Sequence, residues 1–200
     1  MKLYHEKYAV KNLHLGYWLH GLPPKCFGGI IVAVKKAKDR LFFNPTKGHL
    51  TVPQVIGEIA SFVDEDPSGF YSIIIGSDSQ SKRINGKSEI DFVTAVIVHR
   101  RGRGARYFCK KNRVYKHVVL REKIYSETLM SLELAEELVP KLRSVISPAK
   151  YDFEIHIDVG PLGPTREMIR EVVGMVNGNG YRAKTKPQAW GASSVADKYT

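Results

Sequence analysis

The segment that decides the fold reads YSIIIGSDS at residues 71–79, a short apolar run that ends in a carboxylate. The three isoleucines at 73–75 favour a buried strand, and the run is too brief for a helix. Asp78 shares a face with Ile74 and Gly76, because side chains alternate along a strand. An ionised carboxylate there is unfavourable unless a partner compensates it. Asp78 therefore indicates either a functional site or a turn that its own side chain stabilises.

Turn signals after this strand predict a three-strand meander. Asn85-Gly86 leads into a strand at 90–100, and the glycines at 102 and 104 lead into another at 106–119. The later pattern predicts a helix over 122–146 that Pro140 kinks or divides, a strand at 154–159, a helix from about 164 and a strand at 181–186. Helices between strands favour parallel pairing. We expect an α/β fold with a mixed five-stranded sheet, an antiparallel meander plus parallel strands, flanked by helices.

The length of 200 residues fits one domain, and the first 50 residues are the least regular part. They contain a candidate strand at 29–34 and a turn at 44–48, after which Thr51 and Pro53 begin a helix. We expect an N-terminal extension or hairpin at residues 1–41 and the main domain at 42–200. The apolar stretch at 27–34 is too short to cross a membrane and too far in for a secretory signal, so we expect a cytoplasmic protein.

Basic residues are concentrated in one segment of the chain. The whole chain has 31 Lys and Arg against 20 Asp and Glu, a formal net charge of +11. Residues 82–123 hold 13 of the basic residues and three of the acidic ones, a net of +10. Such a concentration attracts polyanions, above all nucleic acid, although a merely solvated surface is the alternative. The candidate phosphate contacts are Arg106, Lys110, Lys111, Arg113 and Lys116, together with Lys186 and Lys198.

The long helix is predicted to carry one carboxylate that faces the sheet. At about 100° per residue, Glu127 lies within the apolar stripe, whereas Glu133 and Glu136 lie on the opposite side. Ionised glutamate is seldom buried without a partner, so Glu127 is a candidate functional residue. The alternative is that Glu127 is an ordinary acidic residue near the helix N-terminus, where the helix dipole stabilises negative charge.

Two further aspartates are weaker candidates by local reasoning. Asp158 ends the strand EIHID near Gly160, where it either approaches a ligand or bonds its own loop backbone. His156 is either a proton shuttle beside Asp158 or an ordinary strand histidine. Asp197 follows Ser194 at the spacing of a capping box, which would explain it fully.

Four motifs together resemble the YkuK-type proteins, a prokaryotic family of predicted nucleases in the ribonuclease H-like superfamily. They are IGSDSQ at 75–80, KIYSET at 123–128, HIDVG at 156–160 with TRE at 165–167, and ASSVADKYT at 192–200. The resemblance covers about residues 42–200 and implies a ribonuclease H-like fold for them.

The resemblance also implies a chemistry for the four carboxylates. Asp78, Glu127, Asp158 and Asp197 would be catalytic residues that bind two Mg²⁺ or Mn²⁺ ions. Such hard cations prefer oxygen ligands, and two of them about 3.5 to 4 Å apart can activate water and stabilise the leaving oxygen of a phosphodiester. The expected function is a metal-dependent nuclease acting on RNA, RNA:DNA hybrid or branched DNA. The competing hypothesis is a non-catalytic nucleic-acid-binding module that uses the basic hairpin 82–123.

Overall fold

The computed structural model describes residues 41–85, 87–115, 117–191, 194–195 and 198–199. These residues form one mixed sheet of seven strands, and three helices pack on it. The strands are β1 Phe42–Asn44, β2 Gly48–Leu50, β3 Tyr71–Ile84, β4 Lys87–Arg100, β5 Ala105–Val114, β6 Tyr151–His156 and β7 Arg182–Lys184. The helices are α1 Val52–Asp64, α2 Leu120–Arg143 and α3 Ile169–Gly178.

The strand order across the sheet is β2-β1-β5-β4-β3-β6-β7. The predicted mixed α/β sheet is therefore confirmed, with its five strands at β5-β4-β3-β6-β7. Two short strands extend it beyond the expected five. Each has only three residues, too few to show the alternation on which the sequence prediction depended.

The meander β3-β4-β5 is the centre of the sheet. β3 and β4 pair antiparallel along their whole length, from Tyr71 opposite Arg100 to Ile84 opposite Lys87. Asn85 turns the chain with a positive φ of 50°, which suits a tight hairpin. β3 continues to Ile84, well beyond the predicted end at Ser79. Its residues pair with β4 without interruption up to the turn at Asn85.

Parallel pairing brings β6 and β7 to the other side of β3. β6 runs parallel to β3, and its last residue, His156, lies opposite Gly76. α2 makes the crossover into β6, and α3 makes the crossover into β7. Pro140 does not divide α2, which continues through it to Arg143, because the proline lies in the last turn.

The main core lies between the sheet and the three helices. It joins apolar residues of α1, α2 and α3 to Ile73 and Ile75 of β3. A smaller cluster on the opposite face contains Ile74, Cys109 and Val195. The odd-numbered residues in this part of β3 therefore face the helices, and the even-numbered ones face the other side.

A small hairpin, β1-β2, covers part of the edge of β5 through the pair Phe43 and Cys109. Asn44 shapes its turn, because its side-chain oxygen accepts bonds from the backbone N–H groups of Thr46 and Lys47 at 3.0 and 2.9 Å. The side-chain amide donates to the carbonyl of Tyr107 at 2.8 Å and ties the turn to β5. The strand expected at 29–34 lies outside the described residues.

The expected division at residue 41 stays a prediction. In the part of the chain that the structure describes, no helix is both long and apolar enough to cross a membrane.

Candidate active site

Asp78 lies where β3 loses its parallel neighbour. β6 ends opposite Gly76, two residues before Asp78, so the strand is open on that side. The backbone N–H of Ser79 donates to Asp78 Oδ1 at 2.8 Å and orients the carboxylate. The neighbours Ser77 and Ser79 face α2, because they bond to Ser131 and Glu127 respectively. Asp78 points away from them, to the other side of the strand.

Asp158 follows the end of β6 at the same edge. β6 pairs with β3 as far as His156 opposite Gly76, two residues before each aspartate, and both aspartates line the same cleft. The backbone turns at Asp158, because the N–H of Val159 donates back to the carbonyl of Ile157 at 2.8 Å. The side chain of Asp158 is 23% exposed. The two aspartates therefore mark adjacent positions at the carboxyl end of the parallel pair.

Glu127 of α2 approaches this edge from the helical side. It is 3% exposed, and the hydroxyl of Ser79 donates to its Oε1 at 2.6 Å. Burial raises the pKa of Glu127 to about 8, and the charges of Asp78 and Asp158 add to the rise. The Ser79 hydrogen bond and the positive charge of Lys123 act in the opposite direction. Glu133 and Glu136 of the same helix are exposed, as expected.

A cleft of about 260 Å³ brings these groups together. Its walls come from β3, α2 and the loop between β6 and α3. It is lined by Asp78, Leu120, Lys123, Ile124, Glu127, Asp158, Gly160, Leu162, Pro164, Thr165 and Lys186. Three of the four proposed carboxylates and one proposed phosphate contact thus lie in a single cleft.

Lys186 forms an ion pair with Asp158 in the cleft. Its ammonium lies 2.7 Å from Asp158 Oδ1, and the lysine side chain is 53% exposed. Its backbone N–H donates to the carbonyl of Val159 at 2.8 Å. This residue therefore partly neutralises the carboxylate that follows β6.

The three carboxylates do not form a preassembled metal site. Among the residues that the structure describes, no three His, Cys, Asp or Glu side chains are arranged to hold a metal ion. Asp197, the fourth proposed ligand, lies outside the described residues. The donor set nevertheless suits a hard divalent cation, because it offers carboxylate oxygens at one cleft and one of them is buried with a raised pKa.

Lys123 and Ser79 are site residues that the sequence reasoning did not select. Lys123 lines the cleft four residues before Glu127, a spacing that places both on one side of the helix. Ser79 follows Asp78 and bonds to Glu127. For Lys123 the signal was its spacing of four residues from Glu127, whereas nothing local pointed to Ser79, because its partner lies 48 residues away in the sequence.

The basic residues of the hairpin divide between the two faces of the sheet. Arg106 and Lys110 lie on the helical face. The guanidinium of Arg106 forms ion pairs with Glu58 of α1 and with Glu65, the residue after that helix, and lies over the ring of Phe62. The ammonium of Lys110 lies 5.4 Å from the ring centroid of Phe42.

Lys111 and Arg113 lie on the other face, the face of Asp78, around a buried carboxylate. Their side chains reach Asp91 at 2.9 and 2.7 Å, and Lys82 lies 3.4 Å from the same group. Although burial opposes ionisation, hydrogen bonds from Arg113 and Lys111 hold the pKa of Asp91 well below its usual range. Lys198 is exposed, and Lys116 lies outside the described residues. The seven proposed phosphate contacts are therefore not one surface.

His156 has structural partners on the face opposite the helices. Its Nδ1 accepts the backbone N–H of Gly191 at 3.0 Å, and its Nε2 lies 3.4 Å from Glu154. Burial lowers the pKa of this histidine. A Cβ added at Gly191 would lie 2.7 Å from Ile74 Cγ2 and 3.1 Å from His156 Nδ1, so only glycine fits there. These contacts favour the ordinary strand histidine over the proton shuttle.

The comparisons with known proteins agree with this architecture. A family model described as Ribonuclease H-like matches residues 54–200. The chain is 34% identical over 175 residues to the Uncharacterized protein YkuK of Bacillus subtilis (strain 168), an overlap of 82% of this chain and 99% of that protein. No solved structure gives a significant match. The mixed sheet, the matched residues and the relative lead to one conclusion: the chain belongs to the ribonuclease H-like family.

Proposed function

We propose that this protein is a divalent-cation-dependent nuclease that hydrolyses phosphodiester bonds in RNA, RNA:DNA hybrid or branched DNA. The observation that supports it is the cleft that Asp78, Glu127 and Asp158 share. Burial is the main cause that raises the pKa of Glu127 to about 8, and repulsion by the carboxylates of Asp78 and Asp158 adds to it. Positive charge at the cleft would relieve that unfavourable arrangement.

Asp78, Glu127 and Asp158 would hold two Mg²⁺ or Mn²⁺ ions, with Asp197 as the fourth ligand by family resemblance. When bound, such ions supply Lewis acidity and stabilise charge on phosphodiester oxygens. Ser79 holds the carboxylate of Glu127 in one orientation by its hydrogen bond. Lys123 and Lys186 supply positive charge at the walls of the same cleft.

A cleavage panel with Mn²⁺ tests the proposal. Single-stranded, duplex, hybrid and branched substrates are incubated with the protein, with Mn²⁺ and with chelator. We expect cation-dependent cleavage of at least one substrate and its loss in Glu127→Gln. Glu133→Gln and Glu136→Gln are matched controls, because both glutamates lie on the exposed side of α2. Equal cleavage by all three variants would remove Glu127 from the site.

One observation favours the second hypothesis, a non-catalytic nucleic-acid-binding module. The basic residues Lys82, Lys111 and Arg113 lie together on one face of the sheet. A binding module needs no divalent cation, so it would retain nucleic acid with chelator and cleave nothing in the panel.

A further inference from the structure

The backbone of Lys186 is held beside Asp158 by a hydrogen bond, and its side-chain ammonium pairs with the Asp158 carboxylate. The N–H of Lys186 donates to the carbonyl of Val159 at 2.8 Å, next to Asp158 in the chain. The ammonium then reaches back to Asp158 Oδ1 at 2.7 Å. The contact therefore joins the segment after β7 to the turn after β6.

Gly160 leaves the space that the lysine stem occupies. A Cβ at position 160 would lie 3.2 Å from Lys186 Cβ and 3.7 Å from Lys186 Cδ. The first distance is closer than ordinary van der Waals contact. The backbone of Gly160 does not have the positive φ that the turn glycine Gly163 has. Room for the lysine therefore accounts for a glycine at this position.

The ammonium of Lys186 can move from the carboxylate into solvent, because the lysine side chain is 53% exposed. A lysine ammonium is a compact charge on a flexible stem, and an ion pair with one exposed partner is weaker than a buried one. A divalent cation at the same oxygen would compete with the ammonium directly. The remaining charges that line the cleft on the described residues are Asp78, Glu127 and Lys123.

We propose that Lys186 is a displaceable counter-ion of Asp158, which gives up the carboxylate when a divalent cation binds and then contacts a substrate phosphate. Displacement of Lys186 by a cation depends only on the residues of the cleft. Its contact with a substrate phosphate rests on the proposed nuclease function. Because the same lysine takes part in both steps, cation and nucleic acid bind with positive coupling, and each raises the affinity of the other.

The first experiment measures Mn²⁺ affinity of the full chain by calorimetry, without nucleic acid. Lys186→Met keeps the stem and removes the charge, and we expect it to bind Mn²⁺ roughly two- to fivefold more tightly than the wild type, as loss of a half-exposed competing ion pair would give. Gly160→Ala keeps the charge but crowds the stem, and we expect a smaller change in the same direction. Lys184→Met is the control with unchanged affinity, because Lys184 does not line the cleft.

The second experiment measures coupling with a fluorescent oligonucleotide duplex, with Ca²⁺ added or omitted. We expect Ca²⁺ to raise duplex affinity in the wild type and to raise it several-fold less in Lys186→Met. Mn²⁺ affinity that is equal or weaker in Lys186→Met, or no Mn²⁺ binding by the wild type, would overturn the counter-ion role. Tighter Mn²⁺ binding in Lys186→Met without cleavage of any substrate by the wild type would instead overturn the nuclease function and leave the counter-ion role supported.

Discussion

Replacement of Glu127 by glutamine is expected to change how stability depends on pH. The pKa of this carboxyl is about 8 in the folded protein against 4.5 for an ordinary glutamate. Between these values the folded protein keeps a proton that the unfolded chain releases, so the free energy of unfolding falls as pH rises. One such group gives a slope of about 1.4 kcal/mol per pH unit, on the order of 4 to 5 kcal/mol across the interval.

Glutamine cannot ionise, and its side-chain oxygen can still accept the hydrogen bond from Ser79. Glu127→Gln should therefore lose this slope, match the wild type near pH 4.5 and exceed its stability at pH 8. Urea unfolding in chelator at intervals from pH 5 to pH 8 measures the difference, and histidines contribute equally to both proteins. Glu133→Gln, on the exposed side of the helix, should keep the wild-type slope. Parallel curves for Glu127→Gln and the wild type would refute the reasoning.

Three further predictions concern other parts of the sheet. Neutralising Lys111 and Arg113, on the face of Asp78, should weaken the dependence of duplex affinity on salt. The slope of log affinity against log salt concentration should fall by roughly 0.9 per lost phosphate contact. The matched change at Arg106 and Lys110 should leave that slope unchanged. An equal effect of both double variants would contradict this division. Gly191→Ala should lower the free energy of unfolding by about 1 to 3 kcal/mol, because the added Cβ would lie too close to Ile74. Thermal melts measure the change, and an unchanged melting temperature would argue against this packing. Asp197→Asn should reduce Mn²⁺-dependent stabilisation and cleavage if it is a ligand, whereas an equal loss of stability with Mn²⁺ and with chelator, at full activity, would show a helix cap.

The parts of the fold that local periodicity specifies were predictable from the sequence. The isoleucine run at 73–75 gave the central strand, and the helical angle of Glu127 placed it in the apolar stripe, where the structure buries it. Alternation along β3 gave the face of Asp78, whereas Asp158, predicted at the end of a strand over 154–159, lies in the turn two residues after β6. The turn at 44–48 was predicted, but the two three-residue strands beside it were not, because they are held by their pairing with β5 and by side-chain bonds of Asn44, which no periodicity encodes.

The distribution of charge on the folded surface was not predictable from a local count. Residues 82–123 have a net charge of +10 along the chain, yet several of their arginines pair with acids from distant elements. Arg101 lies 3.1 Å from Asp152 of β6, and Arg121 lies 2.8 Å from Glu171 of α3. Such partners are set by tertiary packing. A count within one segment therefore overstates the potential that a polyanion meets.

The mixed topology of the sheet has a consequence for the order of folding. β3 and β4 are neighbours in sequence, so their hairpin closes a small loop and can form early. The parallel pair β3–β6 first joins Tyr71 to Tyr151, across 80 residues, and loop closure of that length is slow. Asp78 belongs to the early hairpin, whereas Asp158 follows the late strand. The cleft therefore needs the long-range pairing of β3 with β6, and a nascent chain that has formed the meander alone cannot yet gather the carboxylates.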